Sequence, residues 1–325
     1  MTPTRRILAI DGGGVRGVIP AALLASMERA TGRATRDAFD FVAGTSTGAV
    51  LTAGLVAGIP AQRLVSLYVD RAAEVFRSVP LLSFVQRLVA GHQYDTAGLH
   101  RVIREELGAP AADWRLNDAP VDLLVTAKRL SDGMPWYFVR DDPANAQRAG
   151  AIRLADAVTA SAAAPTFFAP WTIGGIGELV DGGVGVAGNP VYQACVEAFE
   201  YTDRYLPGET VVVSLGTGRV LQRERPTWLG SWIGWLLSEL LRSPAEQQTE
   251  LVHRHYPAVA LSRIDVELPG AIGMDAADRV DELRAVGERL ATTVDWEALL
   301  DGRDERFRVT GERTLPREYV SRDPG

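Results

Sequence analysis

The chain opens on an aliphatic run, Ile7 to Ile10, that stops at Asp11 and three consecutive glycines. A short continuous apolar run closed by turn residues predicts a buried strand entering a tight loop. From Val18 to Ala30 the apolar positions adopt helical spacing, with Leu23, Leu24 and Met27 on one face. A second strand is predicted at Phe41–Ala43, followed by a helix of small residues from Thr47 to Ala57. Two strand–loop–helix units this close together predict an α/β fold with a parallel sheet.

Further along, residues 61–107 read as mostly helical, with Leu64, Leu67 and Tyr68 at helical spacing. Strands are predicted at Val121–Ala127 and Trp136–Val139, a helix at Arg153–Ala160, and short strands at Glu178–Val180 and Val211–Leu215. The segment Asp275–Thr293 is amphipathic, with Val280, Leu283, Val286 and Leu290 on one stripe. No repeat, linker or low-complexity block interrupts the pattern. One domain over residues 1–325 is therefore expected. Its core motifs fall in 7–218, a helical and strand segment in 226–310, and a loose polar tail in 311–325.

Composition narrows the classes. With 46% hydrophobic and 23% charged residues, the 325-residue chain has the mix of an ordinary globular protein. A formal charge of −7 argues against a nucleic-acid polymer as partner. It leaves membranes open, because a local patch can hide inside an acidic total. The single cysteine, Cys195, rules out an intrachain disulfide and a cysteine-rich zinc site. The apolar run after Arg5 and Arg6 is too short for a signal peptide. No run approaches the ~18 apolar residues of a spanning helix. A cytoplasmic protein is the expectation.

Three motifs carry chemistry. Gly44-Thr-Ser-Thr-Gly48 is a G-x-S-x-G between a strand and a helix, the setting in which a sharp turn exposes a nucleophilic serine. The following helix points its positive end at the site and favours a developing oxyanion. A plain structural turn is the competing reading. Asp11-Gly-Gly-Gly-Val-Arg-Gly17 also joins strand to helix, and its backbone N–H groups suit an anion. Gly12 to Gly17 also fits the dinucleotide fingerprint, but where that fold wants an acid after the second strand, the chain places Ser46. The oxyanion reading is preferred. Asp181-Gly182-Gly183 ends the short strand at Glu178–Val180, and alone it reads as a turn.

The chain has four histidines, His92, His100, His253 and His255. A Ser–Asp–His triad through His253 or His255 is opposed by topology, since the elbow follows only one strand–helix unit. Both lie in a polar stretch near Glu250 and Arg254 that resembles a solvated face. Without histidine, Asp181 must take the proton of Ser46 itself. Burial would raise its pKa from the usual ~3.9 and fit it to that task.

Together these motifs resemble the patatin-like phospholipases, lipid acyl hydrolases with a Ser–Asp dyad. Asn189-Pro190, the stretch Thr159 to Phe168, and Ser214-Leu-Gly-Thr-Gly218 are similar to further signatures of that family. The resemblance implies a three-layer α/β/α sandwich with a mostly parallel sheet. It implies Ser46 as nucleophile, Asp181 as base, and an oxyanion hole from Gly12, Gly13, Gly14 and Thr47. Asp11, Arg16, Gly17, Gly44, Gly48, Gly182 and Gly183 would support the motifs. Arg16 would fix the glycine loop rather than bind a lipid phosphate. The implied reaction is phospholipase A or lysophospholipase cleavage through an acyl-enzyme, with no cofactor and no metal. A soluble carboxylesterase or acyltransferase would use the same residues. Some bacterial members that resemble this chain are antiphage effectors switched on by a cyclic nucleotide, for which the sequence offers no legible ligand motif.

Contact with a membrane would fall to the stretch Pro226–Leu237, in which Trp228, Trp232 and Trp235 share a helical face. A core or lid helix over the acyl pocket is the competing reading. Peripheral association at the inner membrane face follows from the first.

Overall fold

The computed structural model describes residues 5–75, 92–140, 150–185, 187–219, 227, 232, 245–268, 270 and 272–310. An eight-stranded sheet forms its centre. Five strands run parallel: β1 (Arg5–Ile10), β2 (Phe41–Thr45), β4 (Asp122–Arg129), β9 (Thr210–Leu215) and β10 (Ala260–Ile264), in the order β10-β9-β1-β2-β4. Beyond β4 the sheet turns antiparallel, through β5 (Pro135–Arg140), β8 (Gly177–Asp181) and β7 (Trp171–Ile173). A separate two-stranded ribbon pairs β3 (His92–Tyr94) with β6 (Thr166–Phe168).

Strand alternation sorts the core into two faces. In β1, Leu8 and Ile10 pack into the larger core, while Ile7 and Ala9 face the smaller one. Against the large face lie α1 (Val18–Thr31), α3 (Thr47–Val56), α4 (Ala61–Val75), α5 (Thr96–Leu107), α6 (Leu154–Ala162) and α8 (Val280–Ala291). The small face is covered by α7 (Val191–Glu200) and by a helical stretch at 245–255. This is the three-layer α/β/α arrangement, thicker on one side.

Local signals explain most boundaries. Helix α1 stops at Gly32, whose φ of 66° supplies the left-handed cap that L-residues resist. Helix α5 starts at Asp95, whose carboxylate accepts the Ala97 N–H at 3.0 Å. In α8 the buried stripe is Val280, Leu283 and Val286, and Leu290 is only half-buried. The helix is shorter than the amphipathic pattern suggested, because a 3-10 turn at Ala277–Arg279 precedes it.

Among the described residues the region 61–107 is mostly helical, as expected, and the short strand β3 within it pairs with β6, its partners 74 residues further along the sequence. Strands β7 and β10 and helix α7 were not anticipated, because their short or mixed patterns carry no period of their own. Residues 311–325 and most of 226–244, including Trp228 and Trp235, lie outside the described residues.

Candidate active site

The site lies where β4 changes partners. Strand β2 pairs with β4 up to Thr45 opposite Thr126. The next position, Ala127, is opposite Asp181, the last residue of β8. Since β5 occupies the other edge of β4, β8 continues along the edge that β2 leaves. The residue after Thr45 is Ser46. The sheet itself therefore sets the serine and the aspartate end to end.

Ser46 adopts φ 55° and ψ −121° between β2 and α3. That conformation costs a residue with a Cβ on the order of 1–3 kcal/mol and lifts its side chain clear of the sheet. The turn is tight enough that a Cβ on Gly44 would lie 2.2 Å from the Gly48 carbonyl oxygen. A Cβ on Gly48 would lie 2.2 Å from the Ile10 carbonyl oxygen. No side chain fits at either position.

Asp181 is 5% exposed and faces the Ser46 side chain, which favours its ionised form. Its carboxylate accepts the Gly183 N–H at 2.7 Å. Burial pushes its pKa up to about 6, with those two contacts pulling the other way.

One helix terminus holds both residues. The Ser161 hydroxyl, at the end of α6, accepts the Ser46 N–H at 2.8 Å. The Ala163 carbonyl, two residues on, accepts the Asp181 N–H at 3.0 Å. Thr45 ties the loop after Asp181 to the elbow, donating to the Ala187 carbonyl at 2.6 Å and meeting Thr126 at 2.7 Å.

The glycine loop runs alongside. The Gly12 N–H is taken by the Gly188 carbonyl at 3.0 Å. This corrects the expectation that Gly12 donates to an oxyanion. Its carbonyl accepts from Thr217 at 2.7 Å, so Gly12 is a fixed strut of the loop. Gly13, Gly14 and Thr47 all line the cavity beside Ser46. Thr47 is the first residue of α3, where backbone N–H groups have no partner within the helix. Gly17 packs against Thr47 and Tyr68, and Gly182 against Thr126.

Arg16 is half-buried and donates to the carbonyls of Gly13 and Gly218, each at 3.3 Å. It braces the loop. Asp11, 5% exposed, forms a two-pronged ion pair with Arg263 at 2.8 and 2.5 Å. Burial opposes the charge of Arg263, but Asp11 and Asp265 outweigh it and hold the guanidinium ionised. Arg263 also donates to Ser214 at 2.7 Å, and Asn189 donates to the same hydroxyl at 3.2 Å. The signatures around Ser214 and Asn189 are thereby the struts of the glycine loop.

A cavity of about 560 Å³ opens from this point. Ser46, Asp181 and the glycines form its polar end, and Val50, Ala53, Leu64, Leu99 and Ile103 form apolar walls. That is the size and lining of a site for a ligand with a long apolar part. Tyr68 crosses one wall, and its hydroxyl is hydrogen-bonded to Thr47.

No histidine lines the cavity among the described residues. His100 meets Thr159 at 2.9 Å and stacks on Trp171, and His255 meets Tyr192 at 2.7 Å against the opposite core. Among the described residues no group of three or more His, Cys, Asp or Glu side chains is arranged to hold a metal. Sequence reasoning missed Ser161, Tyr68 and Arg263 as parts of the site. Ser161 lies within a recognised signature, whereas nothing near Arg263 marks it.

A strained serine at a strand–helix elbow, facing a buried carboxylate over an apolar cavity, defines a site built for acyl transfer from a lipid-like ester. The patatin-like phospholipase family model matches residues 8–195, more than half of the chain. The protein belongs to the patatin-like phospholipase family. A cGAMP-activated phospholipase of Vibrio cholerae is 29% identical over 324 residues, covering 88% of this chain and 90% of that one. One from Escherichia coli is 33% identical over 205 residues, covering 61% of this chain and 56% of its own length. The rat 85/88 kDa calcium-independent phospholipase A2 is 31% identical over 239 residues, or 66% of this chain and 27% of that protein.

Proposed function

We propose that the protein hydrolyses fatty-acyl esters of membrane lipids through an acyl-enzyme on Ser46. The observation that carries this is the Ser46–Asp181 contact at the polar end of an apolar cavity. Ser46 Oγ attacks the ester carbonyl and its proton passes to Asp181. The oxyanion that forms is held by the N–H groups of Gly13, Gly14 and Thr47, which have no backbone acceptor among the described residues. As the C–O bond breaks, Asp181 returns the proton to the leaving alcohol. Water then attacks the acyl-enzyme, Asp181 takes its proton, and Ser46 leaves with the proton restored. The products are a free fatty acid and a lysolipid.

Asp181 suits this work because its pKa near 6 makes it a stronger base than a solvated aspartate, yet leaves it ionised at neutral pH. Mass spectrometry of products from mixed bacterial phospholipids tests the reading. Wild type should release fatty acids, while Ser46→Ala and Asp181→Asn should each lose on the order of 10³-fold or more in rate. His253→Ala should keep full turnover. Retained turnover in either dyad variant would overturn the proposal.

The alignment with the Vibrio cholerae relative along most of both chains supports a second layer, in which a nucleotide activator controls this hydrolysis. Adding cGAMP to the lipid assay tests it directly. The proposal places the enzyme in the cytoplasm, acting at the inner membrane face. Trp232, 41% exposed, would contribute to membrane contact together with Trp228 and Trp235. Liposome flotation of the triple alanine variant checks this, and unchanged binding would remove the interfacial role.

A further inference from the structure

The N-terminal ends of the parallel strands carry a second cleft, of about 280 Å³. It lies at the opposite end of the sheet from Ser46, about 16 Å away by the length of β2. Six arginines line it: Arg5, Arg6, Arg33, Arg36, Arg140 and Arg204. Only three carboxylates do, from Asp37, Asp40 and Asp122. Arg6 turns its guanidinium to the Leu300 carbonyl at 2.8 Å and to Asp301 at 3.7 Å, and the excess of positive charge from the other five is still the opposite of what a formal charge of −7 would place there.

Two of the three carboxylates are already engaged. Asp122, 3% exposed, accepts from Arg140 at 2.8 Å, Arg204 at 2.9 Å and the Tyr205 hydroxyl at 2.7 Å. Asp40 accepts from the Arg5 guanidinium and the Arg6 N–H, both at 2.8 Å. These bonds hold Arg5, Arg140 and Arg204 in place around the cleft with donors to spare. Arg33 donates to the neutral Asp37 carbonyl oxygen. Arg36 reaches the Asp37 carboxylate only at 4.0 Å, where that carboxylate is 66% exposed. Buried aspartates thus orient one set of guanidinium groups, while a second set, on the loop and short helix after α1, faces the same space with little neutralisation.

Planar, pre-oriented guanidinium forks converging from several elements match the geometry of a phosphate group. The walls offer almost no apolar surface, so the recognised part is the anion itself. We infer that this arginine cleft binds a phosphate-bearing small anion, either free phosphate or the phosphates of a nucleotide. The site stands apart from Ser46 and does not depend on its chemistry.

Calorimetric titration of the full chain at low ionic strength tests this, with inorganic pyrophosphate in one arm and ADP in the other. Saturable binding of one anion per chain is expected. Arg33→Gln/Arg36→Gln should weaken it by about tenfold or more, since each lost charge-assisted bond is worth about that much. Ser46→Ala should bind as wild type does, which separates this site from the hydrolytic one. Tighter binding of ADP would identify a nucleotide, and equal binding would identify an inorganic phosphate anion, with the nucleoside adding nothing. No saturable binding of either anion to wild type would overturn the inference. So would undiminished affinity in the double variant. Should that variant lose Tm, Arg33→Gln alone, on an exposed side chain, decides the matter in the same way.

Discussion

The Ser161 hydroxyl accepts the backbone N–H of Ser46 at 2.8 Å, from the last turn of a helix whose end also holds Asp181. Nucleophile and base are thus registered to each other by a third element that touches both backbones. Such support is what keeps a strained φ of 55° in place at Ser46.

Removing that support should affect catalysis without touching the dyad. Ser161→Ala leaves the part-buried Ser46 N–H without its acceptor and should cost about 1 kcal/mol of stability or somewhat more. If Ser161 positions the elbow, kcat should fall several-fold while KM changes little. A stability loss with kcat intact would leave Ser161 a purely structural residue. Steady-state kinetics beside a denaturant melt reads both.

Asp181 gives a prediction in pH. Its folded pKa of about 6 lies above the ordinary aspartate value near 3.8, so the fold favours the neutral acid. The sign is therefore fixed. Its contribution is fully favourable below about pH 4 and is lost as pH rises through about 6. Asp181→Asn keeps the shape without the charge. It should be more stable than wild type above pH 7, by up to about 3 kcal/mol, and gain nothing at pH 4. Activity runs the opposite way, since the base must be ionised. In wild type kcat/KM should rise with pH along a limb centred near 6 rather than near 4. Thermal melts and rate profiles from pH 4 to 8 check both curves.

Arg263 should matter to the site although it lies on β10, three strands from β2, which leads into Ser46. Arg263→Ala strands the buried charge of Asp11 and should destabilise the protein by about 3–5 kcal/mol. Adding Asp11→Asn should recover part of that loss, because the uncompensated charge disappears. A double-mutant cycle of urea midpoints measures the coupling. No coupling would mean that the Asp11 pair does not hold the glycine loop.

The cavity walls should set acyl length. Ala53 lines the space and is 1% exposed, so Ala53→Leu adds bulk where the apolar chain would lie. Turnover of long-chain esters should drop about tenfold or more relative to short-chain ones, the scale at which pockets discriminate by a few methylenes. A uniform loss across chain lengths would place the acyl group elsewhere.

Local pattern marked the elbow at Ser46 and the glycine loop, whereas Asp181 read locally as a turn and became a candidate base only through the lack of a histidine partner and the family resemblance. The same pattern indicated an α/β fold with a parallel sheet, and the family resemblance implied helices on both of its faces. Strand β1 and helix α3 follow from contiguous runs, since apolar periodicity and turn glycines act over a few residues. The sequence also argued against a histidine partner, from the early position of the elbow. Tertiary structure decided what spans long separations. It placed Asp181 on the edge of β4 vacated by β2, although 135 residues separate it from Ser46 in the chain. It assigned the Gly12 N–H to the Gly188 carbonyl, and so took Gly12 out of the oxyanion donors. It brought Arg263 to Asp11 across 252 residues and gathered six arginines at the far end of the sheet. Register, burial and ion pairing of this kind depend on which strands become neighbours, and no local period encodes that.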